Sequence, residues 1–256
     1  MKLFKRTSIF LIIFIALVWV FTFMWIYYPS GIVNATKSEI KQTEILLKEN
    51  NISVDGEILR RKTNSISIPE MNFITQNIDL FEEYITRGKL VKESENSYKY
   101  DDNRLVVNGR SVVLEGYSDI IENNTADTAV AKAKKLISHF NLSKKNMLVS
   151  MQERNDGILV TFIPEYKNRP IFDCKISVMM YGAKEYKVEA VPYEISKKGS
   201  KQLPVTVCSA LAELALDGKA SYNEITEMTL GYKLDNEKLV PAWEIKTKEK
   251  NTFYIQ

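Results

Sequence analysis

Residues 97–117 read SYKYDDNRLVVNGRSVVLEGY. Short apolar alternations stand on either side of Asn108-Gly109, and that dipeptide between two such runs is the strongest short-range signal for a β-hairpin. Asp101-Asp102-Asn103 marks a second turn upstream, so the stretch predicts an antiparallel meander. Ahead of it, Ile78, Phe81, Tyr84 and Ile85 recur at helical spacing, and the helix they predict stops at Gly88. The same order appears twice more. A second helix carries Val130, Ala133, Leu136, Ile137 and Phe140 and ends at Asn141. Strands MLVSMQE and ILVTFIPEY around Asn155-Asp156-Gly157 follow it, then IFDCKISVMMYG and EYKVEAVPYEI. A third helix opens at Pro204, has Thr206 near its start and ends at Gly218. ITEMTLGYKLD, LVPAWEIKT and NTFYIQ come after it. Helix followed by meander, repeated, predicts an α+β protein in which each short helix lies across an antiparallel sheet. Residues 36–50 predict one further helix, and the polar run 51–76, broken by Gly56 and Pro69, predicts an extended connector. The expected division is a membrane-proximal helix and connector over 29–59, a small domain over 60–118 and a larger one over 124–256, jointed at ENNTADT.

The chain has 256 residues, 45% of them hydrophobic and 26% charged, with 10 Gly and 7 Pro. That mixture is globular rather than disordered or collagen-like. The net charge of +3 is confined to Lys2, Lys5 and Arg6 at the tip, and the remainder is formally neutral. No basic stripe argues for nucleic acid. From Ile9 to Tyr28 runs IFLIIFIALVWVFTFMWIYY. At about 1.5 Å per residue this apolar stretch matches a bilayer's hydrocarbon thickness of roughly 30 Å. With basic residues before it and Trp25, Tyr27 and Tyr28 at its other end, it predicts one membrane span. Residues 1–8 would then form a cytoplasmic tip and the rest would lie outside the cell membrane. A cleaved signal peptide is the alternative, with Val33-x-Ala35 as its processing site, though the apolar run is long for one. Phe10, Phe14, Leu17, Phe21, Met24 and Tyr28 form a row at spacings of four and three. It could serve as a seam for a partner helix, and such rows also arise by chance in aromatic-rich helices. Phe10, Phe14, Leu17, Phe21 and Trp25 are the candidate partner-binding residues.

Cys174 alternates with Phe172, Ile176, Val178 and Met180, which places its thiol on the apolar side of a strand. Cys208 shares a helix face with Val205, Leu211, Ala212 and Ala215. Both thiols therefore point into a core, as a disulfide or as two buried free thiols. No metal site is expected from two cysteines without a nearby histidine. The lone His139 removes most hydrolytic triads and reads as a helix-terminal surface residue. Ser38-Glu-Ile-Lys41 matches a serine-transpeptidase pattern without its companion motifs. Glu82/Glu83 and Asp101/Asp102 are sequence neighbours that do not form a spaced acid–base couple. No enzyme and no cofactor is expected.

Several stretches together resemble the YycI/YycH kind of membrane-anchored regulator, with YpeB/PepSY-like external modules. They are the basic tip and span leading to Ile66-Ser-Ile-Pro69, the unit from Ile78 to Leu114, Tyr166-Lys-Asn-Arg-Pro170-Ile-Phe172, and the closing Met228-Thr-Leu-Gly-Tyr232, Leu239-Val-Pro-Ala-Trp-Glu-Ile245 and Phe253-Tyr-Ile255. Asn168 stands where the family's hairpin has glycine, and Glu244 where Arg is expected after the tryptophan. The resemblance implies a non-catalytic protein that biases a WalK-like sensor histidine kinase of the WalK/WalR (YycG/YycF) system, which governs cell-wall metabolism. It also implies contact through the transmembrane helix and the external domains, often beside a YycH-like partner. On this reading Tyr232 and Trp243 belong to the core rather than to a contact surface. The competing expectation is an external binding module that senses a wall component or restrains a peptidase.

Overall fold

The computed structural model describes residues 32–76, 90–100, 102–123, 125–142, 144–182 and 184–256. In chain order their elements are β1 (Ile32–Val33), α1 (Lys37–Glu49), β2 (Ser53–Val54), α2 (Gly56–Leu59), β3 (Thr63–Asn64), β4 (Ile66–Phe73), β5 (Val91–Ser94), β6 (Ser97–Tyr100), β7 (Asn103–Asn108) and β8 (Ser111–Tyr117). They continue with α3 (Ala126–His139), β9 (Met147–Arg154), β10 (Gly157–Tyr166), β11 (Arg169–Pro170), β12 (Ile176–Met180), β13 (Glu185–Ala190), β14 (Tyr193–Gln202), α4 (Val207–Leu216), β15 (Glu224–Asp235), β16 (Lys238–Thr247) and β17 (Thr252–Ile255). The architecture is α+β and rich in sheet. The expected span over 9–28, with Phe10, Phe14, Leu17, Phe21 and Trp25, lies outside the described residues, as does the helix expected from Ile78 to Gly88. No described helix is long and apolar enough to cross a membrane.

The described residues form two compact units, one of residues 32–66 with Gln202–Ile225, the other drawn from Ser67–Lys201 with Thr226–Gln256. In the first unit α1 begins with a capping box. The Thr36 hydroxyl accepts the Glu39 amide at 3.2 Å, and the Glu39 carboxylate accepts the Thr36 amide at 2.6 Å, which satisfies two otherwise orphaned donors. The helix turns Thr43 and Leu47 inward. Facing it is α4, whose Val207, Cys208, Ala210, Leu211, Leu214 and Ala215 are all buried. A helix so apolar must be covered on most of its girth. It packs against α1 and α2. Thr206 caps α4 by accepting the Ser209 amide at 3.0 Å, and Gly218 beyond its end takes the left-handed conformation (φ +69°). Thr206→Ala should therefore lower stability by about 1 kcal/mol, read as a shift in the denaturant midpoint.

The second unit is built on a nine-stranded antiparallel sheet in the order β11–β10–β12–β13–β8–β7–β6–β5, with β9 alongside β10. Across one face lies α3. Its Ala129, Ala133, Leu136 and Ile137 share a core with Leu105, Leu114, Val160, Phe162, Val178 and Val188. Asn141 ends this helix at φ +54°, as the sequence predicts. The β7–β8 hairpin forms where Asn108-Gly109 stands, with one difference. Asn108 pairs with Ser111, so the loop residues are Gly109 and Arg110. Of these only Gly109 has positive φ, at +59°. That is the type II′ pattern, which asks for glycine at the first loop position.

The joint expected near residue 124 is not a boundary between compact units. β8, from the 60–118 stretch, pairs with β13, from the later stretch, from Glu185↔Tyr117 to Ala190↔Val112. β8 has its hairpin partner β7 on one edge and takes its other neighbour from distant sequence. The 51–76 run is likewise no simple connector, because it supplies β2, α2, β3 and β4. β4 pairs with β14 in a two-stranded sheet, buries Ile66, Ile68 and Phe73, and accommodates Pro69 because its other edge pairs with no strand among the described residues.

Candidate functional site

Three of the stretches singled out in the sequence converge in the second unit. β10 ends at Tyr166, and Lys167 and Asn168 turn the chain with φ of +49° and +60°. The pairs Tyr166↔Arg169 and Glu165↔Pro170 then close the hairpin. Both loop residues are left-handed, as a type I′ turn requires, and asparagine enters that region far more readily than most residues. Asn168 thus does the work of the glycine expected there. Beyond the turn the chain straps across β15. Ile171 bridges Tyr232, the Phe172 amide donates to the Tyr232 carbonyl at 2.9 Å, and the Leu234 amide donates to the Asp173 carboxylate at 2.7 Å.

Gly231 lies at the crossing. A Cβ there would sit 2.5 Å from the Pro170 carbonyl oxygen and 2.7 Å from the Phe172 ring, so only glycine lets the strap lie this close. Aromatic rings fill the flanks. Tyr166 meets Tyr232 edge-on at 6.0 Å, and Phe172 meets Tyr254 at 5.2 Å. The Tyr232 hydroxyl donates to the Ser67 carbonyl at 3.0 Å, and burial pushes its pKa up to about 12. Trp243, on β16 opposite Ile255, is buried as well. Tyr232 and Trp243 are core residues.

A polar seam borders this packing. Glu244, only 7% exposed, accepts the Tyr254 hydroxyl at 3.0 Å on one oxygen and meets the Lys246 ammonium at 3.2 Å with the other. Lys246 also reaches Glu227 at 3.0 Å, and the Lys233 ammonium lies 5.0 Å from the Tyr254 ring centroid. Burial, followed by the Glu244 charge, raises the Tyr254 hydroxyl's pKa, so it stays protonated and donating. Glu244, placed where the family resemblance expects arginine, thus has internal partners for both of its oxygens. The arrangement holds the meander's strands and strap together.

The remaining residues picked from the sequence do not gather here. His139 ends α3 exposed, its ring edge-on to Phe140 at 5.2 Å. Ser38 and Lys41 are exposed on α1. Asp102 is exposed in a turn, while Asp101, Glu82 and Glu83 lie outside the described residues. Among the described residues no group of three or more His, Cys, Asp and Glu could hold a metal ion. Cys174 and Cys208 are both buried free thiols, and they belong to different units. Burial, reinforced by the Asp173 charge, pushes the Cys174 pKa up to about 12, and burial raises Cys208 also. Thiolate is the reacting form, so raised values mean slow alkylation. At pH 8 neither thiol should react in the native protein, and both should react after unfolding without reductant. A denatured chain that reacts only after reduction would contradict the free-thiol assignment.

Comparison with solved structures bears on this architecture. YycH from Bacillus subtilis superposes with a TM-score of 0.51 at 14% identity, covering 77% of this chain and 58% of that one. The fold is YycH-like. A protein from Eubacterium rectale aligns with a TM-score of 0.47 at 10% identity, over 80% of this chain and 86% of its own. No protein-family model matches the sequence, and no curated protein matches it. The chain spans 58% of the length of the YycH structure it resembles, so the likeness concerns the fold.

Proposed function

We propose that this chain is a non-catalytic, membrane-anchored regulator that biases a cell-wall sensor histidine kinase through residues 9–28 and its external units. The observation that carries this reading is the YycH-like fold, to which the sequence resemblance adds the basic tip and the apolar span. A WalK-like kinase and a YycH-like protein are the proposed partners, and no cofactor, metal or nucleic acid enters the mechanism. The N-terminus is cytoplasmic and the two folded units are extracytoplasmic.

Such a regulator acts by differential binding. It contacts one signalling state of the kinase better than the other, and coupling of about 1–3 kcal/mol shifts the population several-fold or more. Phe14, Phe21 and Trp25 are the proposed contacts in the bilayer. Exchanging residues 9–28 for an unrelated apolar span of equal length tests this assignment. Regulation of the kinase reporter should be lost while the protein stays in the membrane.

The competing reading is an external binding module. Its support is an open cleft of about 550 Å³ in the first unit, lined among others by Glu44, Leu47, Lys48, Ile52 and Leu59. A binding module needs the span only as a tether, so unchanged function after the exchange would favour it.

A further inference from the structure

The two ends of the nine-stranded sheet are finished differently. At one end β5 has four residues, includes Lys92 and Glu93, and shifts register against β6 between Lys92 and Ser94. Shortness, charge and a bulge are the usual devices that keep a sheet edge from pairing with another chain. At the other end β9 has eight residues, MLVSMQER, with no proline, no lysine and an unbroken register against β10. Among the described residues β10 is its only strand neighbour. Leu148, Val149 and Met151 are 45%, 38% and 41% exposed on it.

The direction of each backbone group on β9 follows from the ladder. The Glu165 amide donates to the Asn146 carbonyl at 3.0 Å, and Arg154 pairs with Gly157 across a two-residue turn. Even-numbered residues therefore aim their N–H and C=O groups at β10. By alternation Met147, Val149, Met151 and Glu153 aim theirs outward, free of any strand. The side chains of these odd-numbered residues lie on the face that carries the core, since Val149 pairs with the buried Phe162 and Met151 with the buried Val160. A strand added at this edge would meet unpaired hydrogen-bonding groups and an apolar shelf at the same positions.

We propose that a second copy of this chain adds there, antiparallel, about a two-fold axis at Ser150. In that register the outward-facing residues of the two copies oppose one another as hydrogen-bonded pairs. Val149 faces Met151 of the second copy, and Met147 faces its Glu153, so the two apolar shelves become one. Leu148 faces Gln152 of the second copy on the other side of the sheet. The exposed Lys145 comes diagonally beside Glu153 of the second copy, within reach of a long side chain, and this opposite-charge contact occurs twice by symmetry. The self-complementary order of apolar and charged residues is what points to a second copy over an unrelated strand.

Ser150 opposes itself as a non-hydrogen-bonded pair with Cα atoms about 4.5 Å apart, inside the range a disulfide spans. The full-length chain carrying Ser150→Cys, in membranes under mild oxidation, should form a covalent dimer on a non-reducing gel. It should do so about tenfold faster than the chain with Gln152→Cys, whose thiols lie about four residues apart in this register. Adding Met151→Lys to Ser150→Cys should abolish the cross-link, with native folding checked by unchanged protection of Cys174. Equal cross-linking of Ser150→Cys and Gln152→Cys, no dimer from Ser150→Cys, or a dimer untouched by Met151→Lys would each overturn the proposal.

Discussion

Tyr232→Ala is expected to lower the stability of the second unit by about 3–5 kcal/mol, the range for removing a fully buried aromatic ring. The side chain is 1% exposed, packs edge-on against Tyr166 and ties β15 to the start of β4 through the Ser67 carbonyl. Removing it leaves a cavity beneath the strap at the point where Ile171 lies in register with Tyr232 and the Phe172 amide donates to the Tyr232 carbonyl. Tyr232→Phe keeps the ring and loses one hydrogen bond, so its effect should be about 1 kcal/mol. Gly231→Ala tests the same crossing from the other side. Its Cβ must displace the Pro170 carbonyl and the Phe172 ring, an overpacking effect of about 1–3 kcal/mol. Chemical denaturation followed by tryptophan fluorescence measures all three. A phenylalanine variant as unstable as the alanine one would mean the hydroxyl, rather than the packed ring, holds the junction.

The second large effect is expected at Phe162. It is fully buried in β10 and belongs to the core that α3 closes with Leu136 and Ile137. Phe162→Ala should also lose about 3–5 kcal/mol, and it should release α3 first, because the cavity opens directly against that helix. Amide exchange over residues 126–139 would then rise before exchange in β7 and β8. Phe162 has a direct internal control in Met151, one ladder step away on β9 and 41% exposed. Met151→Ala should change stability by no more than about 0.5 kcal/mol. Equal destabilisation by both variants would contradict the placement of β9 at an exposed edge.

Local features of this fold were legible in the sequence. The 3.6-residue apolar spacing located α3 and α4, and Asn141 and Gly218 marked their ends because few residues tolerate the left-handed conformation found there. The glycine of Asn108-Gly109 located the β7–β8 hairpin, although the loop falls one residue later than the dipeptide suggests. Long-range features were not legible. Nothing in residues 111–117 announces that their partner is 185–190, and nothing in Ile66–Phe73 announces Tyr193–Gln202. A strand's pattern states which face is buried and leaves its neighbour unspecified. The same limit applies to the strap. Tyr166–Phe172 and Met228–Tyr232 could each be read as strand or turn, while their convergence at Gly231 depends on tertiary packing. Cys174 and Cys208 were both legible as buried, yet apolar faces carry no label of which unit they line.

The proposed regulation of a sensor kinase acts through residues 9–28. Its most direct test places a photo-crosslinking amino acid at Phe21 in the native membrane and identifies the captured proteins by mass spectrometry. Capture of a sensor histidine kinase, or of a second single-span protein that itself binds one, is the predicted result. Capture of lipid alone, while the external units still retain a wall component or a peptidase, would reduce residues 9–28 to a tether and contradict the claim.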